Sequence, residues 1–132
     1  MALLAACSLG AIASTAAAAG ISIGLAAPLS GPSHALGEQL REGVETAAAN
    51  YAGATVTLET ADSACTADGG SRAARQFVDA KVGAVVGFLC TEAIEAALPI
   101  LKEARIPVIT PGVRANSLTD KRYKTGWPVY RL

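Results

Sequence analysis

From residue 21 onward, short β-branched runs alternate with stretches whose apolar residues recur every three or four positions. Ile21-Ser22-Ile23-Gly24-Leu25-Ala26-Ala27 has an apolar residue at every second position and predicts a strand. The turn formers Pro28-Leu29-Ser30-Gly31-Pro32-Ser33 end it. Leu36, Leu40, Val44, Ala47 and Tyr51 then share one helical stripe, with Glu38, Arg41, Glu42 and Glu45 largely off it. That pattern predicts a helix lying on a sheet. Gly37 and Gly43 lower its propensity, and close approach to the sheet is the expected compensation.

Ala52-Gly53-Ala54 breaks the helix, and the alternating Thr55–Thr60 predicts a second strand. A polar loop, Ala61–Asp68, carries Cys65 and leads to a second helix with Ser71 as its expected N-cap. Ala74, Phe77 and Val78 form that helix's expected buried side. In Gly83–Thr91, GAVVGFLCT, a buried strand (Ala84, Val85, Val86) stops at Gly87 and opens into a loop with a cysteine and a hydroxyl. A third helix follows at once with Ile94, Ala97, Leu98 and Leu101 inward, and Pro99 should kink it or confine it to one side. Ile106–Thr110 predicts a fourth strand ended by Pro111-Gly112. Residues 113–128 read as irregular or a short helical turn, and Val129–Leu132 begins a fifth strand.

A β-α-β-α-β-α-β order implies an α/β fold, a doubly wound parallel sheet with helices on both faces. The expected strand order is 2-1-3-4-5, with the switch point between strands one and three. Ligands in such sheets sit outside the carboxyl ends of the strands. The candidate site is therefore the rim formed by Pro28–Ser33, Leu89–Ala93 and Thr110–Arg114.

Composition narrows the function. The 132 residues allow one domain with a real core, and the 11 Lys and Arg balance 11 Asp and Glu. Aromatics at 5% are too few for a base-stacking surface, and the balanced charge points neither to nucleic acid nor to an anionic membrane. Residues 1–37 hold no charged side chain. Within them Met1–Ala19 is Ala/Leu-rich with small residues at Ala17 and Ala19, an A-x-A pattern that predicts a secretory signal at 1–19, although it lacks a basic start. The rival reading is a lipoprotein box, Leu4-Ala5-Ala6-Cys7, with Cys7 lipidated.

If Cys7 leaves with the leader, Cys65 and Cys90 remain, an even number in an oxidising compartment. A bridge between them closes a loop of about 25 residues, worth about 3 kcal/mol in the chain-entropy account. Two unrelated buried thiols are the alternative, and export favours the bridge.

Catalytic and cofactor motifs are missing. No G-x-G-x-x-G follows the first strand, and there is no P-loop, no G-x-S-x-G elbow and no CxxC. His34 has no partner at metal-ligand spacing. Recognition chemistry remains: Thr91 at the start of the third helix, where free N–H groups favour a carboxylate, and Arg114, able to clamp one bidentately. The alternative for Thr91 is a plain N-cap, and for Arg114 a solvated loop cation.

Five pieces in order resemble the periplasmic leucine/isoleucine/valine-binding family of ABC-transporter solute receptors. They are Pro28-Leu29-Ser30-Gly31-Pro32 with Gly37, Asp62-Ser63-Ala64-Cys65, Val85-Val86-Gly87-Phe88-Leu89-Cys90-Thr91, Pro107-Val108-Ile109-Thr110-Pro111, and Leu118-Thr119. The resemblance implies a type I periplasmic-binding-protein lobe over residues 20–132, a non-enzymatic role without cofactor or metal, a small-molecule solute, and an inner-membrane ABC permease as partner. It also implies a Cys65–Cys90 disulfide and a periplasmic location. Thr91 takes the position that grips a ligand carboxylate, Gly112, Val113 and Arg114 those that meet an amino acid's charged groups, and Leu36 that of an aromatic over the ligand. Two departures concern the ligand: amino-acid binders usually have a small hydroxyl residue where Arg114 stands, and often a serine where Glu92 stands. An amide, a urea-like compound or an organic acid fits as well as a branched-chain amino acid. The resemblance covers the first third of such a receptor, so a fragment without the second lobe is expected, binding weakly and leaving apolar sheet surface exposed. Two other readings stand beside it: a ligand-sensing domain of a regulator on this fold, and a small flavodoxin-like enzyme. The latter needs a phosphate cradle after strand one, which two prolines make poor.

Overall fold

The computed structural model describes residues 20–132, so the expected leader Met1–Ala19, Cys7 included, lies outside the described residues. In chain order the elements are β1 (Ile21–Ala27), α1 (His34–Ala49), β2 (Val56–Asp62), α2 (Ala67–Asp79), β3 (Ala84–Gly87), α3 (Thr91–Glu103), β4 (Val108–Thr110), α4 (Arg122–Thr125) and β5 (Val129–Arg131). The strands form one sheet in the order β2-β1-β3-β4-β5, every neighbouring pair parallel. That is the expected topology, and it sends the loops after all the strands to one rim.

The core lies on the sheet face covered by α2 and α3. Val85, Val108 and Val129 from the strands meet Ala73, Ala74 and Phe77 of α2 and Ile94, Ala97, Leu98 and Leu101 of α3, all buried. Each large side chain so placed contributes roughly 1.5–3 kcal/mol of burial. The Phe77 ring lies over Gly24, where an added Cβ would come within 2.8 Å of its Cδ1. The two helices touch backbone to backbone, since a Cβ on Gly70 would sit 2.0 Å from the carbonyl oxygen of Ala93.

This contact explains the first difference from expectation. Gly69-Gly70 reads as a boundary, yet both lie inside α2, and the N-cap is Thr66, whose Oγ1 accepts from the Gly69 N–H at 3.0 Å. Ser71 is one turn in, with its hydroxyl 3.5 Å from the Ala96 carbonyl. Close packing overrides the low helix propensity of glycine here. Strand β2 also runs on to Asp62, past the expected end at Thr60, and β4 is confined to Val108–Thr110. Helix α3 runs through Pro99 without stopping, and that residue lies on its exposed side.

The other face differs more. Gly37 approaches as expected, since a Cβ there would meet the Pro28 carbonyl oxygen at 2.0 Å. Gly43 does not: nothing lies within 4 Å of its added Cβ, and Ala47, expected inward, is exposed. Gly37 is the only buried residue of α1. The expected apolar stripe instead overhangs an open groove of about 420 Å³ between α1 and the sheet, lined by Ile23, Val44, Tyr51, Leu58, Val86 and Ile109 among others. Arg41 bridges Glu38 (2.5 Å) and Glu45 (2.8 Å) on the wet side of the helix.

Candidate functional site

The three rim loops singled out in the sequence, and a fourth after β2, are bonded to one another in series. Asp62, the last residue of β2, accepts hydrogen bonds from the Leu29 N–H (2.8 Å), the Ser30 hydroxyl (2.5 Å) and the Ala64 N–H (2.8 Å). Its carboxylate thus fastens the β1–α1 loop to the β2–α2 loop. Three residues on, Cys65 is joined by a disulfide to Cys90, with 5.2 Å between Cα atoms. The expected pairing is therefore present, and it fastens the β2–α2 loop to the N-cap of α3. Thr110, fully buried at the end of β4, donates from Oγ1 to the Phe88 carbonyl (2.8 Å) and accepts from the Val113 N–H (3.3 Å). It ties the last rim loop to the β3–α3 loop.

Backbone geometry at the centre of the rim is unusual. Gly87 at φ 125° and Phe88 at φ 59° turn the chain sharply out of β3, while Ala64 and Cys65 sit at φ 47° and 52°. A left-handed conformation costs an ordinary residue roughly 1–2 kcal/mol. Here the Phe88 N–H to Ala26 carbonyl bond (2.8 Å), the buried Phe88 ring and the disulfide hold it.

Each expected site residue can now be placed. Thr91 is the first residue of α3 and is half-buried; the N-cap is Cys90 in an extended conformation, with no side-chain cap. The plain N-cap alternative for Thr91 thus does not hold, because its hydroxyl lies one position inside the helix. The N–H groups of Thr91 and Glu92 precede the first intrahelical bond, from Ile94 N–H to the Cys90 carbonyl (3.2 Å), and stay free for a ligand, whereas Ala93 is fully buried against α2. Glu92 is exposed in that first turn, Gly112 packs against Leu89, and Arg114 is exposed with no carboxylate partner among the described residues. Val113 is buried in the core and its N–H is held by Thr110. Leu36, 58% exposed on the first turn of α1, faces solvent, as does His34, whose Nε2 is 3.6 Å from Glu38 Oε1. Among the described residues no group of three or more metal-ligating side chains gathers, and no helix is long and apolar enough to cross a membrane.

Sequence reasoning missed Asp62 and Thr110 as organisers of the site. A local signal existed for the first, since Asp62 makes an Asx turn with Ala64. Partial burial opposes ionisation of Asp62, but hydrogen bonds from Ser30 Oγ and from the Ala64 and Leu29 N–H groups outweigh it and hold the carboxyl below the ordinary aspartate value. A lowered folded pKa means the stabilisation is complete above the unfolded value of about 3.9 and is lost as pH falls through the lower folded value. Asp62→Asn is expected to cost about 1–2 kcal/mol at neutral pH, with the gap to the parent closing in acid. Urea unfolding at pH 7 and near pH 2 checks this; a gap independent of pH would refute it. Thr110→Val, nearly isosteric, orphans a buried N–H and carbonyl and is expected to cost about 1–3 kcal/mol. In hydrogen exchange its effect should be greatest at Val113.

A doubly wound parallel lobe with its switch-point loops strapped along one rim places any ligand at that rim. The chain belongs to the periplasmic binding protein family, whose profile, described as "Periplasmic binding protein", matches residues 20–130. It is 36% identical over 113 residues to Leu/Ile/Val-binding protein homolog 3 of Brucella melitensis biotype 1, covering 81% of this chain and 31% of that protein. Among solved structures it resembles the leucine binding protein LivK of Thermotoga maritima (TM-score 0.73, 25% identity, 84% of this chain and 32% of that one). It is similar also to an ABC transporter substrate-binding protein from Sphaerobacter thermophilus (TM-score 0.73, 26% identity, 86% and 32%). The chain thus spans about a third of the length of these relatives (31%, 32% and 32%).

Proposed function

We propose that residues 20–132 are the N-terminal lobe of an ABC-importer solute-binding protein, exported to the periplasm under the leader 1–19, and that the rim is half of its solute site. The observation that carries this is the uncapped start of α3, the free N–H groups of Thr91 and Glu92 beside a hydroxyl, bonded through Thr110 to the loop that bears Arg114. Such a corner suits the carboxylate or carbonyl oxygen of a small polar solute. Thr91 and Arg114 contact the ligand directly, Gly112 and Val113 meet it from the side, and Leu36 covers its apolar part. Glu92, exposed in the same helical turn, adds a negative charge beside the mouth, which favours a ligand with an amide or ammonium group next to its oxygen. The solute is an amino acid, an amide or a related small organic compound, bound and not transformed. The similarity to the Brucella and Sphaerobacter proteins, a Leu/Ile/Val-binding protein and an ABC transporter substrate-binding protein, supports the reading.

One lobe buries one side of a ligand, so affinity in the millimolar range, about −4 kcal/mol, is expected for this chain. Titration with amino acids, amides and short organic acids, followed by amide NMR, checks the assignment. Saturable shifts at Thr91–Ala93 and Gly112–Arg114 are the expected result. Shifts at the rim with FMN or a nucleotide, and none with these solutes, would sink it.

A further inference from the structure

The two edges of the sheet are finished differently. β5, at one edge, is three residues long, follows Pro128 and carries Arg131, a short and charged border of the kind that discourages pairing. β2, at the other, runs seven residues, Val56–Asp62, and includes no Lys, Arg or Pro. Its register with β1 is one-to-one throughout, so no bulge turns it away from a neighbour.

Hydrogen bonds to β1 show which backbone groups of β2 lack a strand partner. The Ile21 N–H donates to the Thr55 carbonyl (2.8 Å) and the Ser63 N–H to the Ala27 carbonyl (2.9 Å), so the odd-numbered residues of this stretch face β1. By alternation Val56, Leu58 and Thr60 turn their N–H and carbonyl groups outward. The Thr60 carbonyl accepts from Gln76 Nε2 at 3.2 Å, and the same nitrogen donates to the Glu59 carboxylate. Gln76 thus closes the rim-side half of the edge and leaves Val56 and Leu58 open.

The surroundings of that opening indicate its occupant. From Tyr51 to Leu58 the chain carries no charged side chain, Thr57 is exposed, and Tyr51 is 54% exposed. Interface centres are depleted in charge and enriched in aromatics. Val56, Leu58 and Tyr51 also line the apolar groove beneath α1, so edge and groove form one continuous surface. We propose that a second copy of this chain pairs here, β2 against β2 and antiparallel, about a two-fold axis through Thr57. Val56 of each copy then lies opposite Leu58 of the other, and each such pair exchanges both of its N–H to carbonyl bonds. The side chains of these pairs join the two grooves across the axis.

The same residues choose the register. An axis through Leu58 needs the Thr60 carbonyl that Gln76 holds, and an axis through Glu59 sets two carboxylates face to face. An axis through Thr57 brings two hydroxyls together, a favourable cross-strand pair. The contact is self-complementary and closed, so it stops at two copies. It uses the half of the edge away from the rim, leaves the solute site open, and stands independently of what the rim binds.

Sedimentation velocity of the 132-residue chain over a range of concentrations is the test. The expected result is a reversible monomer–dimer equilibrium with Kd on the order of 10–100 μM, because so short an edge falls at the small end of specific interfaces. Thr57→Lys and Thr57→Glu, at an exposed site, should each weaken association at least about tenfold, since like charges then meet across the axis. An equimolar mixture of the two variants should dimerise at least as well as the parent, because opposite charges are now paired. A parent that stays monomeric at about 500 μM, well above the expected Kd, would overturn the proposal, as would association that neither variant weakens. Failure of the mixture to recover would remove Thr57 from the axis and overturn it too. So would loss of the dimer in Ile109→Ser with none in Thr57→Lys, which would assign the contact to the open sheet face. On the parent chain alone, the outward Val56 and Leu58 amides should gain protection from hydrogen exchange as concentration rises. Exchange unaltered at both would overturn the pairing whatever the variants do.

Discussion

Replacing Cys65 and Cys90 together by serine is expected to lower stability by about 3–4 kcal/mol, the chain-entropy value for a loop with a sequence separation of 25. For a domain of this size that is a fall in Tm of roughly 10–20 °C. The local effect should be as informative as the global one. Cys90 is the N-cap of α3 and lies two residues after Phe88, whose left-handed backbone is held by its bond to Ala26. Hydrogen exchange should therefore rise first at Ile94 and Phe88, whose N–H bonds close this corner, before β1 and β2 loosen. Thermal denaturation with and without a reductant, and an exchange time course on the serine pair, check both parts. An unchanged melting temperature would show that the other two straps, Asp62 and Thr110, are enough to hold the rim.

The second large effect is a contrast between two glycines under one substitution. Gly70→Ala forces a Cβ to 2.0 Å from the Ala93 carbonyl oxygen, a backbone atom that cannot step aside without separating α2 from α3. The cost should be at least about 3 kcal/mol, at the upper end for overpacking, because the whole buried helix pair must shift. Gly43→Ala adds a methyl group where nothing lies within 4 Å, in the middle of α1. There the usual helix preference for alanine acts unopposed and should stabilise by about 0.5–1 kcal/mol. Urea midpoints of the two variants should move in opposite directions, and movement in the same direction would refute the packing argument.

Both contrasts show what a linear reading can reach. Periodicity located the five strands and three main helices, because each buries a face whose spacing, two or 3.6 residues, is written along the chain. It misjudged Gly69-Gly70, which it took for a boundary, and Gly43, which it assigned to close packing. A glycine in sequence records only that a side chain is missing; the reason lies in the neighbouring helix or strand. Ser71 and Thr66 illustrate the same limit, since both are good caps and only the position of α3 decides which turn of backbone becomes the start of α2.

The candidate site divides in the same way. Parallel alternation by itself determined that the loops near residues 30, 90 and 112 share a rim, because right-handed crossovers return every strand in the same direction. The cysteine count, with the resemblance, determined the pairing of Cys65 with Cys90. The three-dimensional fold alone decided that Asp62 and Thr110 organise that rim and that Val113 turns inward. Periodicity reports how a residue relates to its own element. Hydrogen bonds between loops join positions tens of residues apart, and no local pattern carries them.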